Sequence, residues 1–134
     1  MAGYSGKSLG QKLGLKAGMR MVFLGMPAEV RAALDPLPEG VVVLQALRKE
    51  AGGMDYVHYF AQTAVELEKT MGALKGALKK DGMLWVSWRK GMKAFTENDV
   101  RRVALATGLV DVKVCAVDEA WSGLKLVYRV KDRA

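Results

Sequence analysis

The apolar residues change period along the chain, and that change limits the folds open to it. Four runs, MRMVFL (19–24), VVVLQAL (41–47), DYVHYF (55–60) and MLWVSW (83–88), are apolar without strict alternation. Strands read this way when both of their faces are covered. Near the C-terminus the pattern alternates. In LVDVKVCAV, Val110, Val112, Val114 and Ala116 take turns with Asp111, Lys113 and Cys115. In LKLVYRV, Leu124, Leu126, Tyr128 and Val130 make one face, and Lys125 and Arg129 the other. A period of two predicts strands with one wetter face, as in an antiparallel hairpin at a sheet edge.

Helical signals separate these runs. After an arm, Ser8 caps a short helix carrying Leu9 and Leu13, which Gly14 or Gly18 ends. Pro27 opens a second helix through about Leu34, with Glu29 near its positive end. The prolines in Asp35-Pro36-Leu37-Pro38-Glu39-Gly40 stop it, and Arg48 to Gly53 is a charged connection. Thr63 and Glu66 predict a capping box for a third helix, whose Leu67, Met71, Leu74 and Leu78 form one apolar stripe. Gly72 and Gly76 share a helix face, which predicts close packing there. Asp81-Gly82 predicts a turn into the fourth strand. Thr96 and Asp99 cap a last helix, with Val100, Val103 and Ala104 facing inward and Gly108 closing it. Helices alternating with unalternating strands specify a mostly parallel α/β sheet, six-stranded and covered by helices, within a single domain spanning 1–134.

Composition narrows the function classes. At 51% hydrophobic residues over 134, the chain can bury a core, and no apolar run approaches the roughly 20 residues that span a bilayer. The start, Met-Ala-Gly-Tyr-Ser-Gly-Lys, has no apolar signal region, so a cytoplasmic protein without a membrane partner is expected. One cysteine, Cys115, and one histidine, His58, exclude an internal disulfide and a conventional zinc centre. The net charge of +7 is concentrated between Lys69 and Arg102, which holds nine basic and three acidic residues. Lys75, Lys79, Lys80, Arg89, Lys90, Lys93, Arg101 and Arg102 therefore offer either a solvated helix surface or a nucleic-acid contact. A homodimer through the hairpin edge or the N-terminal arm is a further expectation.

The segments ALKKDGMLWVSW and ATGLVDVKVCAVDEAWSGLKLVYRV resemble the C-terminal half of class I, Rossmann-like methyltransferases. That resemblance implies a three-layer fold with strand order 2-1-3-4-6-5 and the last strand antiparallel. More closely, GYSGKSLGQKLGLKAGMR and VDVKVCAVDEAWSGLKLVYR resemble segments of a short bacterial family known only as a domain of unknown function. In methyltransferases a glycine-rich turn after the first strand lets backbone approach adenosylmethionine. Leu24-Gly25-Met26-Pro27 stands there in this chain, and only Gly25 matches. An acidic residue closing the second strand holds the ribose hydroxyls in such folds. Here Gln45 takes that place, which disfavours adenosylmethionine as the cofactor. Asp55, opening the third strand, fits the methyltransferase pattern in a structural role.

Several residues are site candidates. His58 reads either as a general base or as a strand histidine held by a backbone hydrogen bond. Cys115, near Lys113, reads either as an activated thiol or as a packed one. Asp118 and Glu119 point opposite ways in an extended chain. With Trp121 and Ser122 they shape the hairpin loop, and Gly123 supplies a special backbone angle. Trp85 belongs to the core, and Trp88 lies on the opposite face near the end of its strand. Ligands of open parallel sheets bind beyond the C-terminal strand ends. That rule gathers Gly25, Met26, Pro27, Tyr59, Phe60, Trp88, Arg89 and Lys90 at one crevice, suited to a flat anionic ligand, and Gln45 is the cofactor-binding candidate that the resemblance adds. The expected function is a reduced, non-catalytic methyltransferase-like domain binding a small molecule or protein there. An atypical adenosylmethionine-dependent enzyme is the alternative.

Overall fold

A computed structural model describes residues 7–47 and 52–133. The first six residues of the predicted arm and residues 48–51 of the predicted connection lie outside the described residues. In order, the elements are α1 (Leu9–Leu13), β1 (Arg20–Leu24), α2 (Ala28–Ala33), β2 (Val42–Leu44), β3 (Met54–Phe60), α3 (Ala64–Ala77) and β4 (Leu78–Arg89). Then come α4 (Glu97–Leu105), β5 (Val110–Ala116), β6 (Trp121–Val127) and a 3-10 turn (Val130–Asp132). The strands form one sheet in the order β2-β1-β3-β4-β6-β5. The first four run parallel to one another, and β6 runs antiparallel to both β4 and β5.

The helix ends follow the sequence signals closely. Ser8 and Gln11 form a reciprocal capping box, and Gly14 ends α1 at φ +88°, a conformation that favours glycine. Thr96 and Asp99 form the same box on α4, and the Thr96 backbone N–H holds the Asp99 carboxyl below its usual range. The Thr63 hydroxyl accepts from the Glu66 N–H at 3.1 Å, which makes the expected cap of α3.

Helices cover the sheet on two sides and make three layers. On one side Val57, Leu84, Val86, Trp88, Leu124 and Leu126 pack against Leu67, Met71 and Leu74 of α3 and Val100, Val103 and Ala104 of α4. On the other, Met21, Phe23, Tyr56, Phe60 and Trp85 pack against Leu13, Leu15, Val30 and Leu34. Trp85 is fully buried, and its Nε1–H donates to the Leu13 carbonyl at 2.9 Å, which ties α1 to the sheet.

Five local expectations are corrected. β2 has three residues rather than seven and is not covered on both faces; it is an edge strand with Val42 exposed. Leu78 is not the last step of the α3 stripe, because the chain turns extended there and starts β4. Gly72 and Gly76 meet open space instead of a packed neighbour, since they lie away from the Leu67–Met71–Leu74 face. Asp81-Gly82 does not turn, and β4 runs straight through it. Gly82 is needed for closeness: a Cβ there would lie 2.8 Å from the Met54 carbonyl oxygen. In β5, a register shift between Asp111 and Lys113 breaks the predicted alternation, and Val112 and Val114 face solvent.

Candidate functional site

The Gly25 turn stands where β1 ends and α2 begins. Gly25 has φ +70°, and a Cβ built on it would lie 3.4 Å from the Phe60 carbonyl oxygen. Glycine is therefore required by backbone angle, while the space is only snug. Beside the turn lies a cleft of about 240 Å³ lined by Phe23, Gly25, Met26, Arg31 and Gln45. Parallel pairing of β1 with β2 brings Gln45 here, just beyond the end of the shorter strand. Arg31 is held by Asp35 at 2.7 Å, four residues along the chain.

A second cleft, of about 490 Å³, opens on the other flank of the turn. Pro27, Glu29, Arg89, Asp118, Glu119, Ala120 and Trp121 line it. Its architecture comes from the β5–β6 loop, folded down on the end of β4. Asp118 Oδ1 accepts from the N–H groups of Ala120 and Trp121, both at 2.8 Å. Lys90 donates from its backbone N–H to Ala120 O at 2.9 Å and from Nζ to Asp118 O at 2.7 Å. The Arg89 guanidinium lies 5.4 Å from the centre of the Trp121 ring, and that ring meets Phe60 edge-on at 5.1 Å between centroids. Glu29, Asp118 and Glu119 line it with one arginine, so the lining carries a net negative formal charge, partly offset by the Lys90 ammonium on the Asp118 carbonyl.

Trp88, Arg89, Gly91, Met92, Lys93, Phe95, Thr96 and Glu97 line a third cleft of about 380 Å³. It lies on the α3–α4 side, because Trp88 and Phe95 belong to that core. The sheet thus divides the residues that the strand-end rule collects. Gly25, Met26 and Gln45 come together; Pro27 and Arg89 come together on the far flank of the turn; Trp88 faces the opposite layer, and only Arg89, at the end of β4, reaches both the second and the third cleft. Tyr59 is half-buried against the α3–α4 core and lines none of these three clefts. Trp88 is 5% exposed, which leaves no open ring face for a flat ligand.

His58 is fully buried in the middle of the sheet. Its Nδ1 is 2.9 Å from the Tyr56 hydroxyl and its Nε2 is 2.6 Å from Ser87 Oγ. The ring stacks on Phe60 at 4.4 Å between centroids. A neutral imidazole satisfies both neighbours, donating through one nitrogen and accepting through the other. Burial pushes its pKa down to about 3 and, with help from Cys115, pushes the Tyr56 hydroxyl well above its ordinary value. The expected backbone hydrogen bond is replaced by this side-chain chain, and a general-base role is closed by burial. Gly123 belongs to the same corner. It pairs with Ser87 in a regular strand, without the special backbone angle expected of it. Its need is for space: a Cβ there would lie 3.0 Å from Ser87 Oγ and 3.1 Å from the Trp85 ring.

Trp121 was expected in the hairpin loop and instead opens β6, where it is buried. The turn-forming residues around it hide this in the sequence. Cys115 is half-buried, with its thiol 3.3 Å from the Ala116 carbonyl. Most of the basic residues between Lys69 and Arg102 are already engaged. Arg101 pairs with Glu97 and Asp111, Arg102 with Glu68 and Asp99, and Lys79 with Asp55. Lys75 donates to Thr107 O at 2.5 Å, and Lys80 lies over the Tyr128 ring. Among the described residues, no group of three or more His, Cys, Asp and Glu could hold a metal ion. No helix among them is long and apolar enough to cross a membrane.

No protein-family model matches the chain, and no curated protein matches it. Solved structures do. The chain is similar to a SAM-dependent methyltransferase from Aquifex aeolicus at 17% identity, covering 87% of this chain and 85% of that one with TM-score 0.66. It is similar to a chain of the Haloferax volcanii complex between the Trm112 methyltransferase activator and a methyltransferase, at 10% identity, 93% and 88% coverage and TM-score 0.66. A third is the 1,6-didemethyltoxoflavin-N1-methyltransferase of Burkholderia thailandensis with bound S-adenosylhomocysteine, at 11% identity, 88% and 73% coverage and TM-score 0.59. At these identities the likeness establishes the fold, a Rossmann-like sheet of methyltransferase type.

Proposed function

We propose that the protein is a reduced methyltransferase-like domain that transfers no methyl group and binds a small ligand around the Gly25–Pro27 turn, at the C-terminal strand ends. Residues 1–134 act in this reading as one cytoplasmic unit. The observation that carries it is the pairing of two clefts on either flank of one turn whose cofactor chemistry is altered. Gln45 stands beside Gly25 in place of a carboxylate, and Met26 and Pro27 follow the single glycine. The Burkholderia enzyme holds S-adenosylhomocysteine; here the two positions that the resemblance assigns to such a cofactor have both changed.

Charge selects the ligand class. Glu29, Asp118 and Glu119 around Arg89 disfavour a phosphate and favour a neutral or cationic polar molecule. The expectation of a flat anionic ligand in a crevice that includes Trp88 gives way to this reading, because Trp88 is buried in the opposite layer. One neighbour is a complex with an activator protein, and a protein partner at the same strand ends is the finer alternative. Membership of the short bacterial family rests on the framing segments quoted above and belongs to the same proposal.

Amide-shift mapping with a library of neutral and cationic fragments tests the location. Shifts should cluster on residues 25–31, 45, 89 and 118–121. Hits confined to the Trp88–Phe95 cleft, or scattered over the surface, would refute the placement.

A further inference from the structure

Helices leave part of the sheet bare. On the α1–α2 side, the β5–β6 hairpin carries Lys113 directly opposite Lys125, and Lys125 in turn stands opposite Trp85. Like charges directly opposed on a β pair are destabilising. Lys16, just after α1, adds its own repulsion to Lys125, whose pKa is lowered by partial burial and then by Lys113 and Lys16. The hairpin register thus sets two ammonium groups side by side, and Lys16, far away in sequence, comes near enough to Lys125 to add a third positive charge. Among the described residues none of the three forms an ion pair. That contrasts with Arg101, Arg102 and Lys79, which are all matched to carboxylates.

A cleft of about 300 Å³ adjoins Lys125, lined also by Asp81, Gly82, Val112, Val127 and Arg133. Val112 is 52% exposed and gives the cleft an apolar wall. Asp81 and Gly82 lie in the first half of β4, whereas Arg89 ends it, so this cleft is at the opposite end of the sheet from the Gly25 turn.

We propose that Lys16, Lys113 and Lys125 form an anion site for a phosphate-bearing small molecule, whose organic part rests on Val112 and Val127. The phosphate would neutralise a repulsion that the fold otherwise carries uncompensated, and Arg133 lies at the cleft to meet a second anionic group. This site is independent of the one around Gly25, and either can fail without the other.

The test uses inorganic pyrophosphate as the probe, followed by amide shifts and thermal unfolding of the whole chain. Saturable shifts should appear at residues 112–114 and 124–126, with a rise in Tm. The double variant Lys113→Ala with Lys125→Ala should lose the shifts and melt about 2 °C higher without ligand, since the like-charge pair is gone. Lys113→Arg should keep the binding. The proposal is overturned if pyrophosphate gives no saturable shift, if the double variant responds like the wild type, or if the shifts centre on residues 25–31 and 89–93. It is also overturned if a glutamate-rich peptide shifts these amides and pyrophosphate does not, because the face would then belong to an acidic protein.

Discussion

Between pH 6.5 and pH 5.0 the wild-type protein should lose about 2 kcal/mol of unfolding free energy, and His58 should account for the loss. The ring is fully buried, and its folded pKa is pushed down from 6.5 to about 3. The unfolded chain therefore takes up a proton as pH falls through 6.5, while the folded chain refuses it until near pH 3. Stability from this group is complete above the unfolded pKa and drains away as pH falls toward the folded one, at about 1.4 kcal/mol per unit. No other histidine is present to blur the window, and Asp99, with its lowered pKa, titrates below it. Urea unfolding at pH 7.5, 6.5, 5.5 and 5.0 reads the slope. His58→Leu should be less stable at pH 7.5, because Tyr56 and Ser87 lose their partner, yet nearly flat across the window. A wild-type curve as flat as the variant's would mean that the ring is solvated or charged in the folded state.

Trp85→Ala should cost about 3–5 kcal/mol, with a fall in Tm on the order of 10–20 °C. Trp85 is among the largest fully buried side chains, and it fills the space between the sheet, Leu13 and Tyr56. Truncation opens a cavity and also strips the Leu13 carbonyl of its donor. Trp85→Phe separates the two effects: it keeps most of the packing and should cost about 1–2 kcal/mol for the lost hydrogen bond. Val112→Thr, on the exposed bulge of β5, should stay within about 0.5 kcal/mol of wild type and serves as the surface control. Denaturant titration of the three variants measures all of this. A Trp85→Ala cost below about 1 kcal/mol would show that α1 does not dock on the sheet as described.

The architecture was legible because burial acts on whole strands. Continuous apolar runs mark β1, β3 and β4, and the capping residues Ser8, Thr63 and Thr96 mark the starts of α1, α3 and α4. The strand order came from the resemblance of the C-terminal half, not from periodicity. What sequence could not give was decided by neighbours. VVVLQAL reads as a buried strand, yet at the edge of the sheet only Val42–Leu44 pairs. Asp81-Gly82 reads as a turn, yet Gly82 is there to let the Met54 backbone approach. The register shift at Asp111/Lys113 exposes Val112 and has no sequence signature.

The candidate site was legible in part. The methyltransferase resemblance assigns Gly25 and Gln45 to one cofactor site, and the structure puts them in one cleft. Strand parity already separated Trp88 from Trp85, but the strand-end rule gathers residues from both faces of a sheet and so merged clefts that share only Arg89 at the end of β4. Trp121 was hidden because Asp118, Ser122 and Gly123 imitate a longer loop. The Lys113–Lys125 pair needed the hairpin register to be seen at all.

Calorimetric titration of the wild-type protein with adenosylmethionine, and separately with its demethylated product, bears on the altered turn itself. If Met26, Pro27 and Gln45 have removed the cofactor site, neither compound gives saturable heat. Low-micromolar binding of either, with amide shifts at Gly25 and Gln45, would contradict the loss of the cofactor site and favour the reading as an adenosylmethionine-dependent enzyme with an atypical loop.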